Sequence, residues 1–178
     1  MKNCLNFLRS ISLLLFLIVI TGCNRSSDEQ VAQKDVLKAS KDDGVTYIVL
    51  LVDTDNIVKG SEMDFCIFAN QPTNTTDDNF TTDLFIDDEV EWIGFSYSNP
   101  KDQVNIKKVK GPKLNQVLTQ GDINGVNGKA KGRVKNDPVK KEKKKYTLHF
   151  EVIRENDTIE GLKIDPKIRV MDNSDTEE

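Results

Sequence analysis

Nine basic side chains crowd the stretch from Lys129 to Lys145. Lys129, Lys131, Arg133, Lys135, Lys140, Lys141, Lys143, Lys144 and Lys145 could form an anion-binding patch for lipopolysaccharide, acidic glycan or anionic lipid head groups. Only Arg133 has the planar fork that grips phosphate or carboxylate in two-point fashion. A structural reading competes with that one. Glu89 and Glu91 share one face of a predicted strand, and Lys143 and Lys145, with Thr147, share the outward face of another. Opposite charges facing across a sheet are mildly stabilising, lysine dominates the block, and edge strands use lysine to resist aggregation, so a charge ladder or plain solvation is the favoured account.

Other chemistry-bearing residues are sparse. His149 is the single histidine, so a blue-copper site, which needs two, lacks its ligands. Glu151 lies on the same strand face as His149, but no serine stands near and no Gly-x-Ser-x-Gly elbow exists. Gly-x-Gly-x-x-Gly and Walker sequences are also missing. Carboxylates gather at Asp53/Asp55, at Asp77-Asp78 and at Asp87-Asp88-Glu89. The first set continues into Ile57, where a calcium loop of the EF-hand type requires a third oxygen ligand. Glycoside cleavage requires two carboxylates about 5 to 9.5 Å apart, and the sequence singles out no such pair. The expectation is a protein without catalytic residues, metal or cofactor. A polyanion- or glycan-binding module, a calcium-dependent lectin and a carboxylate-based hydrolase stand as alternatives.

The N-terminal residues carry an address. Lys2 and Arg9 precede an apolar run from Ile11 to Ile20, which leads into Ile20-Thr21-Gly22-Cys23. A helix needs roughly 20 apolar residues to cross a bilayer, so this shorter run reads as a signal core. Ile20-Thr21-Gly22-Cys23 resembles the lipobox of bacterial lipoproteins. The resemblance implies cleavage after Gly22, lipidation of Cys23 and a mature chain anchored outside the cytoplasm. Several acyl chains hold firmly where one is marginal, each buried CH₂ contributing about 0.8 kcal/mol. Asn24, standing where Asp would signal retention at the inner membrane, implies the outer membrane, on its periplasmic or cell-surface face. Ser27-Asp28-Glu29 is similar to the acidic tag of lipoproteins exported to the cell surface. Partners implied are the membrane itself and an envelope protein or glycan. The mature chain would hold 23 basic and 29 acidic side chains, which gives no reason to expect nucleic acid.

What must position these residues is a domain rich in short strands. The expected organisation is a signal peptide over 1–22, a lipidated polar tether over 23–44, a β-sandwich over 45–171 and an acidic tail over 172–178. A helical turn is possible over 35–39. Strands are expected at Val45–Val52, Glu62–Ala69, Glu89–Tyr97, Gln103–Val109, Asn115–Thr119, Tyr146–Ile153 and Lys163–Val170. A loop is expected at Asn70–Thr82, and a loop or a hairpin with an irregular edge at Gly121–Gly132, and these are the anticipated contact surfaces. In Tyr146–Ile153 the alternation predicts Tyr146, Leu148, Phe150 and Val152 inward, with His149 outward. Cys66, the only cysteine beyond residue 23, sits in an apolar run and is expected to be a buried, inert thiol. Seven or more strands without an amphipathic helix predict an all-β fold, a single antiparallel Greek-key sandwich. Asp87 to Gly94 resembles the strand of cupredoxins that ends at a tryptophan. With Ile164 to Ile168 it is also similar to small immunoglobulin-like sandwich domains of secreted bacterial proteins, which implies such a fold without the copper.

Overall fold

Residues 44–172 are described by a computed structural model. Residues 1–43, where the signal peptide, the lipidated Cys23 and most of the tether with its helical turn over 35–39 are expected, and residues 173–178 of the expected tail lie outside the described residues. Eleven strands follow in order: β1 (Val45–Val52), β2 (Cys66–Phe68), β3 (Thr81–Leu84), β4 (Glu89–Ser96), β5 (Gln103–Lys110), β6 (Asp122–Asn124), β7 (Ala130–Arg133), β8 (Lys144–Lys145), β9 (Thr147–Ile153), β10 (Thr158–Ile164) and β11 (Lys167–Val170). One four-residue helix, α1 (Glu62–Phe65), precedes β2.

The strands make a sandwich. One sheet runs β2-β1-β4-β7 and the other β10-β9-β5-β6, with a three-stranded sheet β3-β11-β8 beside them. Pairing is antiparallel except for β1 with β4 and β3 with β11, which are parallel. Alternation explains why the two large sheets close on each other. In β9, Leu148, Phe150 and Val152 are buried while the residues between them are half-exposed, and Tyr146 is buried just ahead of the strand. In β4 the same period sends Val90 and Trp92 inward to meet Ile106, Tyr146 and Leu148 in one apolar core.

Several boundaries differ from those expected. Glu62–Ala69 is not one strand: α1 occupies its first half because the Glu62 carboxylate turns back to accept the Gly60 N–H at 2.9 Å and the Lys163 N–H at 3.4 Å. The segment expected as the strand Asn115–Thr119 is a 3₁₀ turn at Leu114–Gln116 that buries Leu114, Val117 and Leu118. Thr81 and Thr82 belong to β3, not to a loop. Gly121–Gly132 carries β6 and most of β7, which belong to different sheets; between them the single Val126–Lys129 bridge closes a two-residue turn at Asn127-Gly128 with φ of 52° and 78°. A Cβ on Gly128 would also lie 2.6 Å from the Asn105 Oδ1, so both space and backbone demand glycine there. Pro166 lies between β10 and β11, where its C=O accepts the Tyr146 N–H at 3.0 Å.

Candidate functional site

The charge ladder exists, but on a different pair of strands. Antiparallel register sets Glu89 opposite Arg133 and Glu91 opposite Lys131, so β7 faces the acidic side of β4 where β8 was expected. Lys129 and Lys131 place their ammonium groups 3.0 and 2.8 Å from the two Glu91 carboxylate oxygens. Burial by itself would raise the Glu91 pKa; the hydrogen bonds and charges of the two lysines overcome it and hold the group low. The rest of the block surrounds the three-stranded sheet. Lys140 and Lys141 reach Asp172 at 2.6 and 3.6 Å, and Lys145 reaches Asp165 at 3.6 Å. Lys144 is buried with its ammonium on Glu142, while Lys143 is exposed. Lys135 is half-buried, its N–H donated to the Val117 C=O at 3.0 Å.

The nine cations are thus divided between two sheets, and most face a carboxylate. Ion pairs with a solvent-exposed partner add little to stability, so their weight lies in neutralisation. Changing Lys140, Lys141, Lys143, Lys144 and Lys145 together to glutamine is expected to leave retention on immobilised heparin unchanged. Glu91→Gln, which releases Lys129 and Lys131, is expected to raise retention, read as the salt concentration at elution.

The other candidates are engaged locally. Glu151 does not orient His149: its carboxylate takes Asn105 Nδ2 at 3.1 Å and Lys107 Nζ at 3.2 Å. Burial, followed by the charges of Lys108, Lys163 and Lys110, lowers the His149 pKa and favours the neutral ring. Asp53 closes its own turn by accepting the Asn56 N–H at 3.3 Å and its Nδ2 at 2.9 Å. Burial pushes the Cys66 thiol up, helped by the charges of Asp77 and Glu62, which keeps it protonated. Among the described residues no group of three or more His, Cys, Asp or Glu side chains is arranged to hold a metal.

The loop from Asn70 to Phe80 is knitted by its own bonds. Gln71 Oε1 accepts the Phe68 N–H at 3.1 Å and its Nε2 donates to the Thr75 C=O at 2.6 Å. Phe80 then stacks on Phe68, centroids 4.8 Å apart and planes 11° from parallel. Asp77 is buried beneath this loop with its Oδ2 lacking a hydrogen-bond partner among the described residues, and burial pushes its pKa up to about 6.

Beside the aromatic pair opens a cleft of about 300 Å³, walled by Thr46 to Val49 of β1 on one side and Thr81 to Asp83 of β3 on the other. Thr82 Oγ1 is buried and has no hydrogen-bond partner among the described residues. The sequence reading missed this cleft. Its signal is weak: β3 has no clear alternation, and its place beside β1 depends on a parallel pairing with β11 more than eighty residues later.

No family model matches the chain, and no curated protein does. Among solved structures it is similar to an inclusion body protein, PixA, from Burkholderia cenocepacia J2315. Identity is 11%, the TM-score 0.43, and the match covers 72% of this chain and 95% of that one.

Proposed function

We propose that this protein is a lipid-anchored extracytoplasmic protein whose sandwich has a non-catalytic binding or structural role at the cell envelope, at the outer membrane. The observation that carries this reading is the apolar run Ile11–Ile20 ending in Thr21-Gly22-Cys23. No helix among the described residues is long and apolar enough to cross a membrane. The division of the basic block between Glu91 and the carboxylates around β8 and β11 supports use of those lysines to neutralise the chain's own carboxylates over a polyanion-binding use. Exposed and cleft surfaces near β1 and β3, and the hairpin tip at Val126, offer the contact area such a role requires.

Expression with its own leader is expected to give a chain that begins at a diacylated or triacylated Cys23 and partitions into detergent. Cys23→Ser is expected to move it to the soluble fraction, because the acyl chains supply the membrane affinity. Mass spectrometry of the N-terminal peptide, with fractionation, reads both outcomes. An unmodified Cys23 in a chain that retains Met1 would overturn the anchoring.

A further inference from the structure

The second face of the sheet β2-β1-β4-β7 is apolar where the outside of a sandwich is ordinarily polar. Even-numbered residues of β1 and β4, such as Leu50 and Trp92, enter the core, so the odd-numbered ones turn to the opposite face. There Ile67, Leu51 and Phe95 stand side by side across β2, β1 and β4, and Val49 and Ile93 form the next row. Val49 and Ile93 are buried without joining the core between the sheets, while Ile67, Phe95 and Tyr97 are 40, 41 and 50% exposed. A contiguous apolar patch of this kind marks a surface that meets a partner.

The two ends of this face carry opposite charge. At one end β1 runs into the turn Asp53-Thr54-Asp55; Asp53 is held by Asn56, Asp55 is exposed, and neither has an ion pair among the described residues. At the other end Tyr47, Glu91 and Lys131 make a row. There Lys129 and Lys131, both more than half exposed, share the single Glu91 carboxylate, and Glu89 faces Arg133, so one positive charge is left over. Six residues of strand, about 20 Å, separate the acidic end from the basic one.

We propose that this face binds a second copy of the chain, sheet on sheet, about a two-fold axis that sets the strands of the two copies antiparallel. A two-fold contact uses the same patch on both sides, so the face must complement itself. Antiparallel stacking does this: it lays the acidic turn of each copy on Lys129 and Lys131 of the other. Parallel stacking would set acid on acid. Halfway between the Asp53 and Tyr47 rows, the axis passes between the Leu51/Phe95 row and the Val49/Ile93 row. Apolar side chains then meet at the centre and charges close the rim, as in other protein interfaces. A lipid surface with anionic head groups would instead repel the acidic turn.

Carbodiimide coupling of the full chain, in whichever cell fraction holds it, tests this. The reagent joins an ammonium and a carboxylate in contact by an amide bond and leaves as the urea. Peptide mass spectrometry is expected to find Lys129 or Lys131 joined to Asp53 or Asp55, a link that the separation of about 20 Å within one copy forbids. Lys108 and Asp122, 3.1 Å apart in the same copy, give a second link that reports coupling and an intact fold. Phe95→Ser and, separately, Ile67→Ser are expected to lower the first link by at least about tenfold and to leave the second unchanged. Val139→Ser, at an exposed valine beside Gln116, is expected to change neither. Absence of the first link in the parent while the second forms overturns the proposal and gives the face to a different partner. A first link that survives both serine substitutions on the face overturns it as well.

Discussion

Trp92→Ala is expected to destabilise the domain by about 3 to 5 kcal/mol, a large share of the roughly 5 to 15 kcal/mol that holds a domain of this size together. Trp92 is completely buried at the centre of β4, opposite Ile48 of β1 and Ala130 of β7. Its ring meets Tyr146 edge-on, with centroids 6.1 Å apart, and its Nε1–H donates to the Tyr146 Oη at 3.0 Å. That bond spans the core and satisfies the indole's one polar group. Gly132 of β7 makes room for the ring: a Cβ there would lie 2.7 Å from the Ile123 side chain and 3.3 Å from Trp92. Tyr146→Phe separates packing from polarity. It keeps the ring and strands the indole N–H, so a loss of about 1 to 3 kcal/mol is expected. Urea unfolding followed by far-ultraviolet circular dichroism ranks the two variants. Equal losses would show that the hydrogen bond, not the volume of the indole, governs this part of the core.

Trp92 and its neighbours were legible because they follow a short period. Alternation in β9 placed the buried residues correctly, while in β4 Glu91 and Ile93 are buried along with Val90 and Trp92; the β-branched run Val45–Val52 gave β1 its full length. What escaped were elements made by partners far along the chain. Thr81-Thr82-Asp83-Leu84 has little strand signature of its own and becomes β3 only because β11 lies parallel to it. Glu62 turns a presumed strand into α1 through a bond to the Lys163 N–H, a hundred residues away. The ladder was half legible for the same reason. Its charges were visible in the sequence, but which basic strand lies beside β4 is a matter of topology, and β7 takes the place that β8 was expected to hold. The cleft was not legible at all, since it is the gap left where β2 stops short of covering β1.

That same short strand β2 leads into the loop over Asp77, where the strongest pH dependence is expected. Asp77 is 2% exposed, and its pKa rises from an ordinary 3.8 to about 6 because burial disfavours the charged form. Gln71 partly offsets this by a hydrogen bond, while Asp78 adds to it. The folded state therefore holds the proton more tightly than the unfolded chain. Below about pH 3.8 both states are protonated and nothing is lost; as pH rises toward 6 the folded state must give up a proton it favours, and stability falls. At 1.36 kcal/mol per pH unit the full loss is about 3 kcal/mol, complete above pH 6. Glu91 works with the opposite sign, since its lowered pKa stabilises the fold at neutral pH and that contribution fades in acid. The two are separated by comparing variants, because Asp77→Asn removes one and leaves the other. At pH 7 to 8 Asp77→Asn is expected to be more stable than the parent by about 2 to 3 kcal/mol, and the gap should close as pH falls below about 4. Parallel stability curves across that range would mean that solvent reaches Asp77 and that its unpaired oxygen is no burden to the loop.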